Sequence, residues 1–333
     1  MNNPLLLNPD LKLPAPRRDS SGGSLLLACP SCRQDLGAAG NKAIGCSNCH
    51  FELTTEKGIH RALLPERKAY FRQFISDYVA VRQAEGRGSL DSDYYLALPY
   101  RDLSGKLQWQ WKIRALSFQA LERKVLRPIA RERPDGIDVL DVGAGNGWLS
   151  YQLARRGHRP VAVDLLLDER EGLGAASHFF GQLGRDFPRF QAEMDRLPFT
   201  DAQFDMVIFN AALHYSTHLF TTLREALRCL RPDGHLLIVD SPIYRDEKSG
   251  LRMREDRHQQ FFREYGFRSD SLPSVEYLTY KMVHELADLL AIDWRIIRPW
   301  YGFKFALRPL WARLASKREP SKFHILWGRK KHS

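Results

Sequence analysis

The chain has 333 residues, 44% of them hydrophobic, with 50 Lys and Arg against 39 Asp and Glu for a formal charge of +11. That length exceeds one typical domain and leaves ample room for a core. No uncharged apolar run reaches bilayer length, and Met1 to Pro16 lacks the apolar core and cleavage site of a signal peptide, so the expectation is a soluble, cytoplasmic protein.

Residues 1–24 are rich in Pro, Asn and Ser, end in Ser20-Ser21-Gly22-Gly23-Ser24, and read as a flexible arm. Residues 25–65 carry Cys29-x-x-Cys32 and Cys46-x-x-Cys49, thirteen residues apart. Four soft ligands on two tight knuckles are how zinc ribbons hold a tetrahedral ion. Such a set is complete, so the expected Zn2+ is structural and His50 a bystander. It also fits a reducing compartment better than a disulfide framework does.

Residues 66–133 read as a helical linker or cap. Tyr70, Phe71, Phe74, Ile75, Tyr78 and Val79 recur at helical spacing, and Phe118, Leu121, Val125 and Leu126 repeat the pattern in a second helix that Pro128 is expected to end. After the turn Arg133-Pro134-Asp135-Gly136, strand and helix signals alternate through Ile137–Val142, Trp148–Arg155, Pro160–Val163, Phe204–Phe209, Leu219–Leu230 and His235–Asp240. The alternation predicts an α/β domain over 134–333, a parallel sheet with helices on both faces.

The segment Asp141-Val142-Gly143-Ala144-Gly145-Asn146-Gly147 joins the first of these strands to its helix. Its three glycines suit a sharp turn that lets a ligand approach the backbone. Asp164, seventeen residues beyond Gly147 at the end of the next strand, is placed to accept hydrogen bonds from both hydroxyls of a ribose. The glycine spacing differs from the dinucleotide fingerprint, and Asp141 would repel a pyrophosphate while suiting an ammonium group. A methionine-derived cofactor is therefore favoured over a nicotinamide dinucleotide.

Residues 137–241 resemble a class I, type 11-like, S-adenosylmethionine-dependent methyltransferase. The resemblance extends through Glu193-Met194-Asp195-Arg196-Leu197-Pro198-Phe199, Phe204-Asp205-Met206-Val207 and Leu223 to His235. It implies a Rossmann-like, doubly wound, mostly parallel seven-stranded sheet, with S-adenosylhomocysteine as the product of the cofactor. It also implies that Asp141, Gly143, Ala144, Gly145, Asn146, Gly147, Asp164, Leu165 and Asn210 line the cofactor site. Glu193, where the family usually has Asp, would receive the adenine amino group, and the Met194 amide would meet a ring nitrogen. Leu27 to Pro65 resembles the small zinc-ribbon subunit that activates RNA and protein methyltransferases. It is also similar to the zinc module of ribosomal RNA guanine methyltransferases, in which histidine usually replaces the fourth cysteine.

The segment Asn210 to Tyr215 resembles that of quinone and natural-product methyltransferases, which favours a small or lipid-like acceptor. In it His214 is a candidate base and Tyr215 a candidate catalytic partner, and Asn210 lies outside the Asn-Pro-Pro-Tyr pattern of exocyclic-amine methylation. Residues 241–280 and the C-terminal region are expected to cover the acceptor. From Ile137 to Ser241 the net charge is −4, whereas Trp294 to Ser333 holds eleven basic residues against Glu319 alone. There Trp300, Tyr301, Phe303, Phe305 and Trp311 interleave with Arg298, Lys304, Arg308 and Arg313. Packing on the sheet is expected to account for most of these aromatics, with RNA or an anionic membrane surface as alternative partners. Two other readings stay open: an RNA methyltransferase acting on rRNA or tRNA, and a binding module without turnover.

Overall fold

The computed structural model describes residues 24–331 apart from 41, 269 and 316, so all but Ser24 of the expected arm lies outside the described residues. The centre of the protein is a sheet built from runs that are apolar on both faces. Strand β6 (Asp138–Val142) buries Val139 and Leu140 completely, and β9 (Phe204–Asn210) does the same with Met206 to Phe209. Such runs suit a parallel sheet covered by helices on both sides. Around them lie β7 (Arg159–Asp164), β8 (Arg189–Gln191), β10 (Leu230–Val239), β13 (Ile292–Ile297) and β14 (Ile325–Lys330), in the order β13-β14-β10-β9-β6-β7-β8. All neighbouring pairs from β8 to β10 are parallel, and β14 inserts antiparallel between β10 and β13. This is the expected Rossmann-like, mostly parallel seven-stranded sheet.

The sheet does not stop at seven. Strands β3 (Ile44–Gly45), β4 (Glu52–Glu56) and β5 (Ile59–Arg61), from the cysteine-bearing segment, extend it to ten, with β5 parallel to β8. The other hairpin, β1 (Leu26–Ala28) with β2 (Asp35–Ala38), is tied to the loop after β8 by Ala28 N–H to Pro198 O at 3.1 Å and Thr200 N–H to Leu26 O at 3.2 Å. Leu27, Leu53 and Ala62 share one apolar cluster with Leu140, Phe190 and Phe199. Within the expected ribbon over 25–65, β3 to β5 are thus an edge of the main sheet and β1–β2 is a two-stranded sheet of its own, both packing on the shared cluster because the segment is too small to build a core alone.

The other face of the sheet packs against helices Gln108–Leu121 and Trp148–Ala154, where Trp111, Phe118 and Trp148 meet edge to face. Pro128 does not end its helix, contrary to the sequence expectation. A π-helical turn, Glu122–Leu126, comes just before it, with Arg127 N–H donating to Glu122 O, and the chain continues helically as Arg127–Glu132. Widening the turn ahead of a proline relieves the ring's clash with the preceding carbonyls. A short parallel pair, β11 (Ile243–Tyr244) with β12 (Leu278–Thr279), brackets the long helix Glu247–Tyr265.

Because Leu53 is fully buried in the shared cluster, Leu53→Ala is expected to cost about 2–5 kcal/mol. Urea unfolding should remain a single transition; a separate early transition for the cysteine segment would show that it folds as its own unit.

Candidate cofactor and acceptor site

The turn after β6 is shaped by its backbone. Gly143, Gly145 and Gly147 all have positive φ, at 75°, 55° and 80°. A Cβ on Gly143 would lie 2.3 Å from the Ala212 Cβ, so both dihedral angle and space demand glycine there. The N–H groups of Gly143 and Ala144 both donate to Val163 O, at 2.8 and 3.0 Å. Asp164, at the tip of β7, accepts from Gly145 N–H and Leu166 N–H at 2.8 Å each. Burial pushes its carboxyl up to about 6.

One open cavity of about 830 Å³ lies against this turn. It brings together Gly143, Gly145, Asp164, Leu165, Glu193, Met194 and Tyr215 of the predicted set. Asp141, Ala144, Asn146, Gly147, Asn210 and His214 do not line it. Asp141 is fully buried beneath the turn, where it accepts from Ser150 Oγ at 2.8 Å, and burial raises it to about 7. It anchors the start of helix Trp148–Ala154 through Oδ2, while its buried Oδ1 has no partner among the described residues. Asn146 likewise caps the helix, its Oδ1 accepting Trp148 N–H at 3.2 Å.

The far wall was not assigned from the sequence. Phe71, Phe74 and Tyr78, on helix Pro65–Ala84, face the glycine turn across the cavity. One turn before them, Arg67 grips Glu193 with Nε at 2.9 Å from each carboxylate oxygen and Nη2 at 2.7 Å from Oε2. The signal was the stripe 67, 71, 74, 78 and 82 at helical spacing, which reads equally well as core.

A second cavity of about 780 Å³ shares Phe74, Tyr78 and Tyr215 with the first and is bounded beyond them by Arg82, Arg87 and Arg257. Arg82 donates to the Tyr215 hydroxyl at 3.2 Å and lies over the Tyr78 ring. Arg257 pairs with buried Glu276 at 2.8 Å. His214 is buried beside this wall with Nδ1 3.5 Å from Ser241 Oγ; burial, then Arg257, Arg82 and Arg114, lower its pKa to about 3, so the imidazole is neutral. At the tip of β10, Asp240 has a left-handed φ of 53°, binds the Ser117 hydroxyl through Oδ1, and is pushed up to about 6 by burial.

At the opposite edge, the Sγ atoms of Cys29, Cys32, Cys46 and Cys49 lie within 4.8 Å of one another, with Cys29–Cys49 and Cys32–Cys46 at 3.5 Å. Zinc–sulfur bonds of about 2.3 Å imply sulfur separations of about 3.8 Å, which this cluster matches. Both knuckles close alike. Arg33 N–H donates to Cys29 O and His50 N–H to Cys46 O, at 2.9 Å each, and Arg33 and His50 both have positive φ. His50 closes a turn and is not among the clustered ligands.

A parallel sheet in this order, with a glycine turn answered by a carboxylate at the tip of the next strand, defines a nucleoside-binding α/β domain. Residues 140–238 match the family described as methyltransferase domain, so the chain carries such a domain. Relatives include the uncharacterized methyltransferase YcgJ of Bacillus subtilis, 33% identical over 31% of this chain and 40% of that protein. A malonyl-[acyl-carrier protein] O-methyltransferase of Erwinia pyrifoliae is 33% identical over 33% of this chain and 40% of its own length. A demethylmenaquinone methyltransferase of Corynebacterium urealyticum is 33% identical over 46% and 63%. The chain thus spans less than two thirds of the length of these relatives. The crystal structure of Bacillus YcgJ aligns with a TM-score of 0.44 at 19% identity, over 60% of this chain and 94% of that one.

Since folded His214 stays neutral to about 3 while the unfolded residue protonates near 6.5, it contributes stability above pH 6.5 that is lost as pH falls toward 3. His214→Gln should flatten that acid-side loss, by up to about 1.4 kcal/mol per pH unit. An unchanged pH dependence of unfolding would show that the imidazole is solvated.

Proposed function

We propose that the protein transfers a methyl group from S-adenosylmethionine to a small or lipid-like acceptor. The observation that carries the reading is the convergence of the matched domain's glycine turn with Asp164 and Glu193 on one aromatic-walled cavity. The cavity fits the cofactor: a bare turn for the methionine end, Asp164 and Leu165 for the ribose, Glu193 and Met194 for the base. Asp164 and Glu193 still have lone pairs beyond those their present partners use. Bound there, S-adenosylmethionine supplies a sulfonium methyl group and leaves as S-adenosylhomocysteine.

The chain's own contribution is chiefly positioning and exclusion of water. Phe71, Phe74 and Tyr78 close the cavity on the cap side. Tyr215, held by Arg82, stands between the two cavities, so the second is the acceptor side. His214 lines neither cavity and, with its pKa lowered to about 3, is too weak a base to drive the transfer, so positioning remains the main device. The names of the relatives, which include enzymes of malonyl-acyl carrier protein and demethylmenaquinone, support an acceptor of this kind. The four cysteines hold a structural Zn2+ in this reading.

The RNA alternative joins the zinc knuckles to the basic C-terminal region. β3, which leads into the Cys46 knuckle, and β13, which leads into the basic region, are at opposite edges of the ten-stranded sheet, roughly 40 Å apart at the usual strand spacing, which gives that reading less support.

Titration calorimetry with S-adenosylhomocysteine should show binding to the wild type and a loss of about a hundredfold or more in Asp164→Ala, with zinc content unchanged. Equal affinity in the variant would mean the cofactor binds elsewhere. Cys46→Ser should release the zinc and lower the melting temperature of the whole chain, since Cys46 follows β3 at the edge of the main sheet. A metal-free wild type of equal stability would remove the zinc assignment.

A further inference from the structure

The segment from Trp300 to Leu314, between β13 and β14, holds an apolar stripe that nothing in the described structure covers. Helices Phe303–Ala306 and Arg308–Leu314 follow each other through Leu307 with one turn residue between. Phe303, Leu307, Leu310, Trp311 and Leu314 occupy positions i, i+4, i+7, i+8 and i+11, an arc about 100° wide at 3.6 residues per turn. A stripe of that width normally faces a core. Here Phe303 is 78% exposed, Leu314 72% and Trp311 63%, and Trp300, edge to face with Phe303, is 61% exposed.

The expectation that packing would account for these aromatics holds only for Tyr301 and Phe305. Tyr301 is buried with its hydroxyl 2.9 Å from Ser117 Oγ, and Phe305 packs on its ring. The other large side chains face water. Lys304 lies at one border of the stripe and Arg313 at the other, Lys317 follows the end of the helix, and all three are exposed with no ion pair among the described residues. Helices that lie on membranes combine an apolar face at the level of the acyl chains with cations beside it at the level of the headgroups. The surrounding charge agrees, with eleven basic residues against one acid from Trp294 onward.

We propose that Trp300–Leu314 docks this protein onto an anionic lipid surface, with Phe303, Leu310, Trp311 and Leu314 entering the interface and Lys304, Arg313 and Lys317 meeting the headgroups. The inference does not depend on the methyl-transfer reading, because lipid binding is measured without turnover. A monomeric protein rarely leaves a contiguous apolar patch of this kind without a partner. Single-stranded nucleic acid would require the aromatic rings to be spaced along a groove. Here they alternate with Leu on one convex helical face, which fits acyl chains better than bases.

The test is co-sedimentation of the full chain with vesicles of phosphatidylcholine alone and of phosphatidylcholine mixed with phosphatidylglycerol. Wild type should sediment with the mixed vesicles, with the tryptophan emission shifting to the blue, and should stay largely in the supernatant with phosphatidylcholine alone. Phe303→Glu/Trp311→Glu should weaken partitioning by about tenfold or more. Lys304→Glu/Arg313→Glu should abolish the preference for phosphatidylglycerol. Both pairs are exposed, so the melting temperature should not move. Three results would overturn the proposal: wild type staying in solution with both vesicle types, RNA binding lost in these variants with no vesicle binding, or a light-scattering dimer that the apolar variant dissolves.

Discussion

Three residue pairs of parallel sheet, Ile59 with Arg189, His60 with Phe190 and Arg61 with Gln191, fix where everything amino-terminal to the domain must lie. The ladder continues through Ala62 N–H to Gln191 O at 2.9 Å, and three residues later the chain turns into helix Pro65–Ala84. The helix therefore opens beside Glu193, two residues past the paired strand, and Arg67 meets that carboxylate within its first turn. A slip by one residue would turn the strand's side chains over and carry the helix off the cavity. The cysteine knuckles, the edge strands and the cap thus form one mechanical series whose last member is the aromatic wall of the site.

This arrangement gives a structural metal a reason to be present in a domain whose own fold needs none. A strand of three residues cannot hold a sheet edge by its ladder alone. Here β4 backs it, and the knuckle at Cys46 backs β3 and β4 through Cys46 N–H to Phe51 O at 2.8 Å. A metal clamping the four thiols would fix both hairpins at once, and the gain would reach Phe71, Phe74 and Tyr78 through the backbone of residues 59–65.

The sequence was most informative where local rules decide the outcome. Strand β6, its glycine turn and the following helix could be read because continuous apolar residues, obligatory positive φ and a helix start are all nearest-neighbour properties. That Asp141 lies beneath the turn and off the cavity lining could not be read, because residue type shows that an acid is present but not to which side of the strand it points. Pro128 was misread because a π turn is a response to the ring and leaves no pattern of its own. The grip of Arg67 on Glu193 joins residues 126 positions apart, and no periodicity carries that. The stripe at 303, 307, 310, 311 and 314 looked like a packed helix for a simple reason. Hydrophobic spacing reports that a face avoids water, and a core and a lipid surface satisfy that condition equally.

The exposed stripe and the cavities are not independent features. Tyr301, inside the stripe's segment, binds Ser117 Oγ and donates to Phe323 O at 2.6 Å, and Ser117 binds Asp240 at the tip of β10. That tip is followed by Ser241, whose hydroxyl is the neighbour of His214. The segment is therefore anchored to the strand end beside His214 through buried polar contacts, and leaves its apolar face free. Moving the segment away would strip the buried Tyr301 phenol of its partners, a cost of about 1–3 kcal/mol. The exposed apolar face is thus held in a fixed relation to the tip of β10.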